Sequence, residues 1–162
     1  MDVGSSTIVI REASFPEDSA SVASLLDDYL RQTEAEKADH GLLPQDEALP
    51  ERYAREISNP AVSLKGMRVL VAASDDVDCG IVVVSTTDAG VSEIKRFWTT
   101  PSTRGRGVGT ALIGEALSGA ARPVRLSVWD WRVPAIRMYE GLGFSAVASW
   151  DHRAKLLCLE LA

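Results

Sequence analysis

Gly105, Gly107 and Gly109 alternate with Arg104, Arg106 and Val108, and Thr110 follows them. The run lies between a strand-like stretch from Val91 to Trp98 and a helix-like run beginning near Val108. Glycine lets a backbone approach a ligand closely and take dihedrals that a Cβ would forbid. A turn that opens a helix aims several unpaired N–H groups, and the positive end of the helix dipole, at one spot. Such a spot binds phosphate. Arg104 and Arg106 add two cationic forks suited to phosphate oxygens. The chemistry is that of a polyphosphate-bearing ligand held mostly by main chain. A Walker-type loop needs a lysine before its Ser or Thr, which Gly109-Thr110-Ala111 lacks. The dinucleotide pattern needs a third small residue where Thr110 stands. The strand Glu93-Ile94-Lys95-Arg96-Phe97-Trp98 is also too polar for a parallel strand covered on both faces.

What fits is Arg-x-x-Gly-x-Gly, met as Arg104, Gly107 and Gly109. This resembles the acetyl-CoA pyrophosphate loop of the GNAT N-acetyltransferase superfamily. A second block follows: Val124 to Val128 reads as a short buried strand, Pro134 as a helix start, and Ala135-Ile136-Arg137-Met138-Tyr139-Glu140 runs into Gly143-Phe144. It is similar to the family's second cofactor-associated motif. Glu93 to Phe97, Pro101 and the loop resemble its central strand and turn, in order and spacing. The match covers roughly residues 91–144.

The resemblance implies acetyl transfer from acetyl-CoA to a primary amine of a small molecule or peptide, directly within a ternary complex. A main-chain N–H in the stretch Phe97-Trp98-Thr99 would polarise the thioester carbonyl, and the N–H groups from Arg104 to Thr110 would hold the pyrophosphate. Tyr139 matches the tyrosine that protonates the departing thiolate; in a Tyr-x-x-x-Gly-Phe context such a ring also serves as core. Glu93 stands where some members place the general base, and an ion pair with a neighbouring cation is the competing reading. Asp130, Asp151, His152 and His40 are reserve candidates. Arg132 stands where the family often has Asn; it reaches a phosphate, a substrate carboxylate or solvent. Trp129 and Trp131 wall an acceptor pocket, or cover core and a dimer surface. A non-catalytic acyl-CoA-binding module is the alternative, and a dinucleotide-binding domain a distant third resting on Asp130.

The elements that must position these residues read as one α/β domain over 1–162. Thr7 to Arg11 alternates as a strand, and Pro16-Glu17-Asp18 opens a helix with Val22, Leu25, Leu26, Tyr29 and Leu30 on one face. Residues 31–49 read as a polar segment whose Glu34, Glu36, Asp39, Asp46 and Glu47 either attract an amine or form a solvated face. A helix from Pro50 to Ile57 stops before Asn59-Pro60. Val69 to Ala73 and Gly80 to Ser85 read as an antiparallel pair, and Ser145 to Ser149 and Leu156 to Leu161 as terminal strands. Alternation along the central strand would put Glu93, Lys95 and Phe97 on one face, and Ile94, Arg96 and Trp98 on the other. The order β-α-α-β-β-β-α-β-α-β-β suits the fold the resemblance implies, a mixed, mostly antiparallel sheet flanked by helices.

Composition sets further expectations. The chain has 162 residues, 46% of them hydrophobic, and a net charge of −6, which disfavours a nucleic-acid surface and mildly favours a cationic or amine substrate. No apolar run is long enough for a membrane span and no secretory signal is read, so a cytoplasmic location is expected. Cys79 and Cys158 read as free buried thiols outside any nucleophile motif, which argues against a covalent acetyl-enzyme. No metal is expected. The resemblance is compatible with a homodimer.

Overall fold

The computed structural model describes residues 7–44 and 48–162, so Asp46 and Glu47 of the acidic stretch lie outside the described residues. Seven strands form one sheet: β1 (Ile8–Glu12), β2 (Arg68–Ser74), β3 (Val77–Thr86), β4 (Ser92–Thr99), β5 (Val124–Trp129), β6 (Ser145–Ala146) and β7 (Leu156–Leu161). Their order is β1-β2-β3-β4-β5-β7-β6, antiparallel throughout except between β4 and β5. The expected mixed, mostly antiparallel architecture is what the chain adopts.

Alternation on β2 and β3 sends apolar side chains to both faces, so both faces must be covered. Val69, Val71, Ile81 and Val83 pack against α1 (Ser19–Asp39) and α2 (Glu51–Ser58). Leu70, Ala72, Val82 and Val84 pack against α4 (Val108–Leu117) and α5 (Val133–Gly141). The short α3 (Pro60–Ser63) adds Pro60 at a buried position, past the point where the second helix was expected to stop.

α1 departs from the sequence reading. It runs 21 residues, to Asp39, well into the segment read only as polar. The inward stripe that begins at Val22 and Leu26 continues through Leu30 and Thr33, both buried, at the same spacing. It changes from apolar to polar where the helix leaves the core. Arg11 fixes the other end, bonding Asp18 and Asp78 at 2.8 Å each.

Two irregularities make the site. β4 and β5 pair only at Ser92↔Val124 and Glu93↔Arg125, and then diverge. β4 also carries a bulge: Val83 faces Lys95 but Ile81 faces Trp98, so one extra residue enters on β4. Arg96 takes it up at φ 55°, in the left-handed region. Simple alternation therefore fails across this strand. Ile94 belongs to the cluster under α4 and α5, whereas Trp98 belongs to the one under α1. Phe97 packs with Ile94's cluster, not on the face of Glu93 and Lys95.

Candidate active site

The divergence of β4 from β5 opens a cleft of about 730 Å³ that reaches both faces of the sheet. At one side it meets the loop before α4. Gly105 and Gly107 have φ of 82° and 85°, and a Cβ on either would meet nothing within 4 Å. Glycine is required there by backbone conformation, and the space beside it is open. Gly109 is glycine for another reason: a Cβ would come 3.0 Å from the ring of Phe97. Ala111 N–H is the first in α4 to find a carbonyl, that of Gly107 at 3.0 Å. From Gly105 to Thr110, no main-chain N–H has an acceptor among the described residues. Gly105, Gly107, Val108, Gly109 and Thr110 line the cleft, while Arg106 is exposed beside it.

Phe97, Trp98 and Thr99 line the cleft at the end of β4. Thr100 N–H donates across to Cys79 O on β3 at 2.8 Å. Successive N–H groups of an extended strand point to opposite edges, so that of Thr99 is directed toward the gap. Tyr139 lines the same cleft from α5, only 4% exposed, with Phe97 and Phe144 edge-on to its ring at 6.1 and 5.7 Å. Its hydroxyl has no hydrogen-bond partner among the described residues. Burial pushes the phenol well above its usual ionisation range, with a smaller upward push from Tyr29 and an opposing one from Arg132.

Glu93 sits at the last paired position before the strands part, exposed and lining the cleft. The competing ion pair does not form among the described residues. Lys95 shares its face, since both stand opposite β3 residues on the α1 side, Ser85 and Val83.

Sequence reasoning missed the roof. From α1, Glu36 accepts hydrogen bonds from Trp131 Nε1 at 2.7 Å and Arg132 Nε at 3.0 Å. Arg132 also donates to Thr33 Oγ1 at 2.8 Å, and His40 stacks on Trp131 at 4.0 Å. Trp131 in turn stacks on Trp129 at 5.0 Å. Burial alone would raise the Glu36 carboxyl, but the bonds from Trp131, Arg132 and Gln32 outweigh it and hold it below the usual carboxylate range. This clasp ties α1 to the β5–α5 connection across the mouth of the cleft. Arg132 is committed to it, and Glu36 belongs to a bonded network, not a solvated face. The signal was the i, i+3, i+4 spacing of Tyr29, Thr33, Glu36, Lys37 and His40, which continues the α1 stripe.

The Arg104 side chain packs on the end of β4. Its guanidinium lies 4.6 Å over the Trp98 ring, and Nε donates to Thr99 O at 3.2 Å. Cys79 and Cys158 are buried and do not line the cleft, and burial pushes the Cys79 thiol up. Of the reserve candidates, Asp151 is bound by Arg153, which holds its carboxyl low, at about 2.

Residues 65–146, just over half of the chain, match the model of the acetyltransferase (GNAT) domain. The chain belongs to the GNAT acetyltransferase family. No curated protein matches it. Among solved structures, this GNAT chain is similar to yncA of Salmonella typhimurium, solved with its cofactor acetyl-CoA, at 19% identity. That likeness covers 95% of this chain and 92% of the other, with a TM-score of 0.67. The PaiA N-acetyltransferase of Thermoplasma acidophilum, in complex with coenzyme A, is 20% identical over 96% of this chain and 98% of its own, with a TM-score of 0.70. These two likenesses are of fold. A nourseothricin acetyltransferase reaches 31% identity over 60% of this chain and 65% of its own, with a TM-score of 0.52.

Proposed function

We propose that this GNAT protein moves an acetyl group from acetyl-CoA to a primary amine of a small molecule or peptide, directly, with both substrates bound. The observation that carries the reading is a juxtaposition. Main-chain N–H groups at the start of α4, the hydroxyl of Tyr139 and the carboxylate of Glu93, all without partners among the described residues, meet one cleft. The complexes of yncA with acetyl-CoA and of PaiA with coenzyme A support the choice of donor.

The fit to the donor is physical. The N–H groups from Gly105 to Thr110, at the positive end of the α4 dipole, suit a pyrophosphate. The donor supplies a thioester, whose carbonyl oxygen would accept from a main-chain N–H of the Phe97–Thr99 stretch. Glu93 takes a proton from the attacking amine, directly or through water, and Tyr139 gives one to the departing sulfur. Neither cysteine lines the cleft, which favours direct transfer over a protein-bound acetyl group.

Thiol release from acetyl-CoA, followed with and without a panel of amines, tests the proposal. Release that requires the amine supports it. Tight binding of acetyl-CoA without release under any amine would favour a non-catalytic acyl-CoA-binding module instead.

A further inference from the structure

The charge of the cleft runs against the charge of the molecule. The chain carries −6 overall, yet six cationic side chains and only three carboxylates line this cleft. Four of the cations are matched: Lys37 by Glu34, Arg132 by Glu36, Arg96 by Glu56 and Arg153 by Asp151. Lys95 and Arg104 remain, and neither is in an ion pair among the described residues.

Both lie on the α1 side of the sheet. Lys95 stands opposite Val83, and Arg104 rests on Trp98; Val83 and Trp98 both belong to the core under α1. Donor phosphates are served on the other side, by the N–H groups of the glycine loop before α4. Arg104 spends Nε on Thr99 O and keeps its two terminal nitrogens free of partners among the described residues. A guanidinium held over an indole, with those nitrogens free among the described residues, is a ready receptor for a planar anion. Trp98 and Tyr29, whose rings meet edge-on at 6.2 Å, line the same side of the cleft, and along β4 Lys95 stands between Glu93 and Trp98. Two unmatched cations against one unmatched carboxylate, Glu93, leave an excess of one positive charge.

We propose that the acceptor is an amino acid in the broad sense, an amine that also carries one carboxylate, and that Lys95 and Arg104 bind that carboxylate while the amine reaches Glu93. This rests on the acetyltransferase reading and narrows its acceptor. It reverses the expectation from net charge alone: the cleft selects against purely cationic amines, because an uncompensated positive charge there repels them.

The test uses matched sets of α- and ω-amino acids, their carboxamides and the corresponding plain amines, assayed by thiol release from acetyl-CoA. At least one acid is expected to exceed its carboxamide and its plain amine in kcat/KM by about tenfold or more, chiefly through KM. Carboxamides of α-amino acids have the less basic nitrogen, so more of it is free near neutral pH, and that bias opposes the expected result. Lys95→Gln and Arg104→Gln, each checked by a melting curve, should bring the acid-to-carboxamide ratio toward one. Acids and carboxamides within about threefold of each other in the wild type would overturn the proposal while leaving acetyl transfer standing. So would a ratio that neither substitution changes. If acetyl-CoA binds and no amine of any class is acetylated, the acetyltransferase reading falls and this one with it.

Discussion

Tyr139 combines deep burial with a hydroxyl that no described residue satisfies. The residue lines the cleft, so a partner from outside the chain can reach that hydroxyl. Because burial raises its ionisation, it stays protonated through neutral and mildly alkaline pH, the state a proton donor needs. Tyr139→Phe keeps the ring against Phe97 and Phe144. We expect a folded protein that binds acetyl-CoA nearly as well, losing at most about 1 kcal/mol, with kcat lower by roughly 10–10³-fold. Steady-state kinetics with thiol detection, beside a melting curve, checks this; an undiminished kcat, upheld by single-turnover rates, would make Tyr139 packing only. Glu93→Gln keeps size and removes proton acceptance. Its kcat/KM should fall by roughly 10–10⁴-fold, most at the lower end of an assay range of about pH 6–9, where free amine is scarce. Wild-type rates across that range would return Glu93 to a surface role.

At the scale of elements, the clasp from α1 and the glycine loop make separate demands. Glu36 has its carboxyl held low by Trp131, Arg132 and Gln32 against the upward push of burial. A depressed folded value stabilises the protein above the ordinary glutamate range near 4.5, and that contribution is lost as pH falls through the lower folded value. Glu36→Gln should therefore cost about 1–2 kcal/mol at pH 7, and the gap to wild type should close as pH is lowered below the ordinary glutamate range. Denaturant unfolding at several pH values measures it; a gap independent of pH would assign the loss to packing. In the loop, Gly107→Val strains a residue at φ 85° and fills open space beside unpaired N–H groups. Acetyl-CoA should bind more weakly by several kcal/mol, read by calorimetry on folded protein, and unchanged affinity would remove the loop from the donor site.

Elements were legible where pattern and period agree. The glycine run, the strand of Val124 to Val128, the α5 motif and the paired β2 and β3 all declared themselves locally. α1 did not beyond Leu30, because its stripe turns polar when it stops covering sheet and begins to clasp β5–α5. The bulge at Arg96 was invisible for a different reason. One inserted residue is set by pairing with β3, and Arg96 is held there by Glu56 at 2.7 Å, from an element 40 positions away. That bulge decides which face Trp98 and Phe97 take, so candidate residues were readable while their sides of the sheet were not.

For the whole molecule, the fold is a means of prising two parallel strands apart. β4 and β5 are joined only at Ser92 and Glu93, α4 and α5 cover one side of the gap, and α1 closes over the other. The glycine loop before α4 and the side chains of Lys95 and Arg104 on the α1 side are thereby brought to one opening from opposite sides of a sheet. None of the described helices is long and apolar enough to cross a membrane. Direct transfer requires that the acetyl group pass from thioester to amine through that opening, with no acetylated protein between them. The most direct measurement follows thiol release and, by intact-mass spectrometry, acetyl groups on both protein and amine, with acetyl-CoA alone and then with an amine added. Direct transfer predicts no release and no acetylated protein before the amine, then thiol and N-acetylated amine in equal amounts after it. Acetylated protein formed before the amine and consumed by it, or binding of acetyl-CoA with no product under any amine, would contradict it.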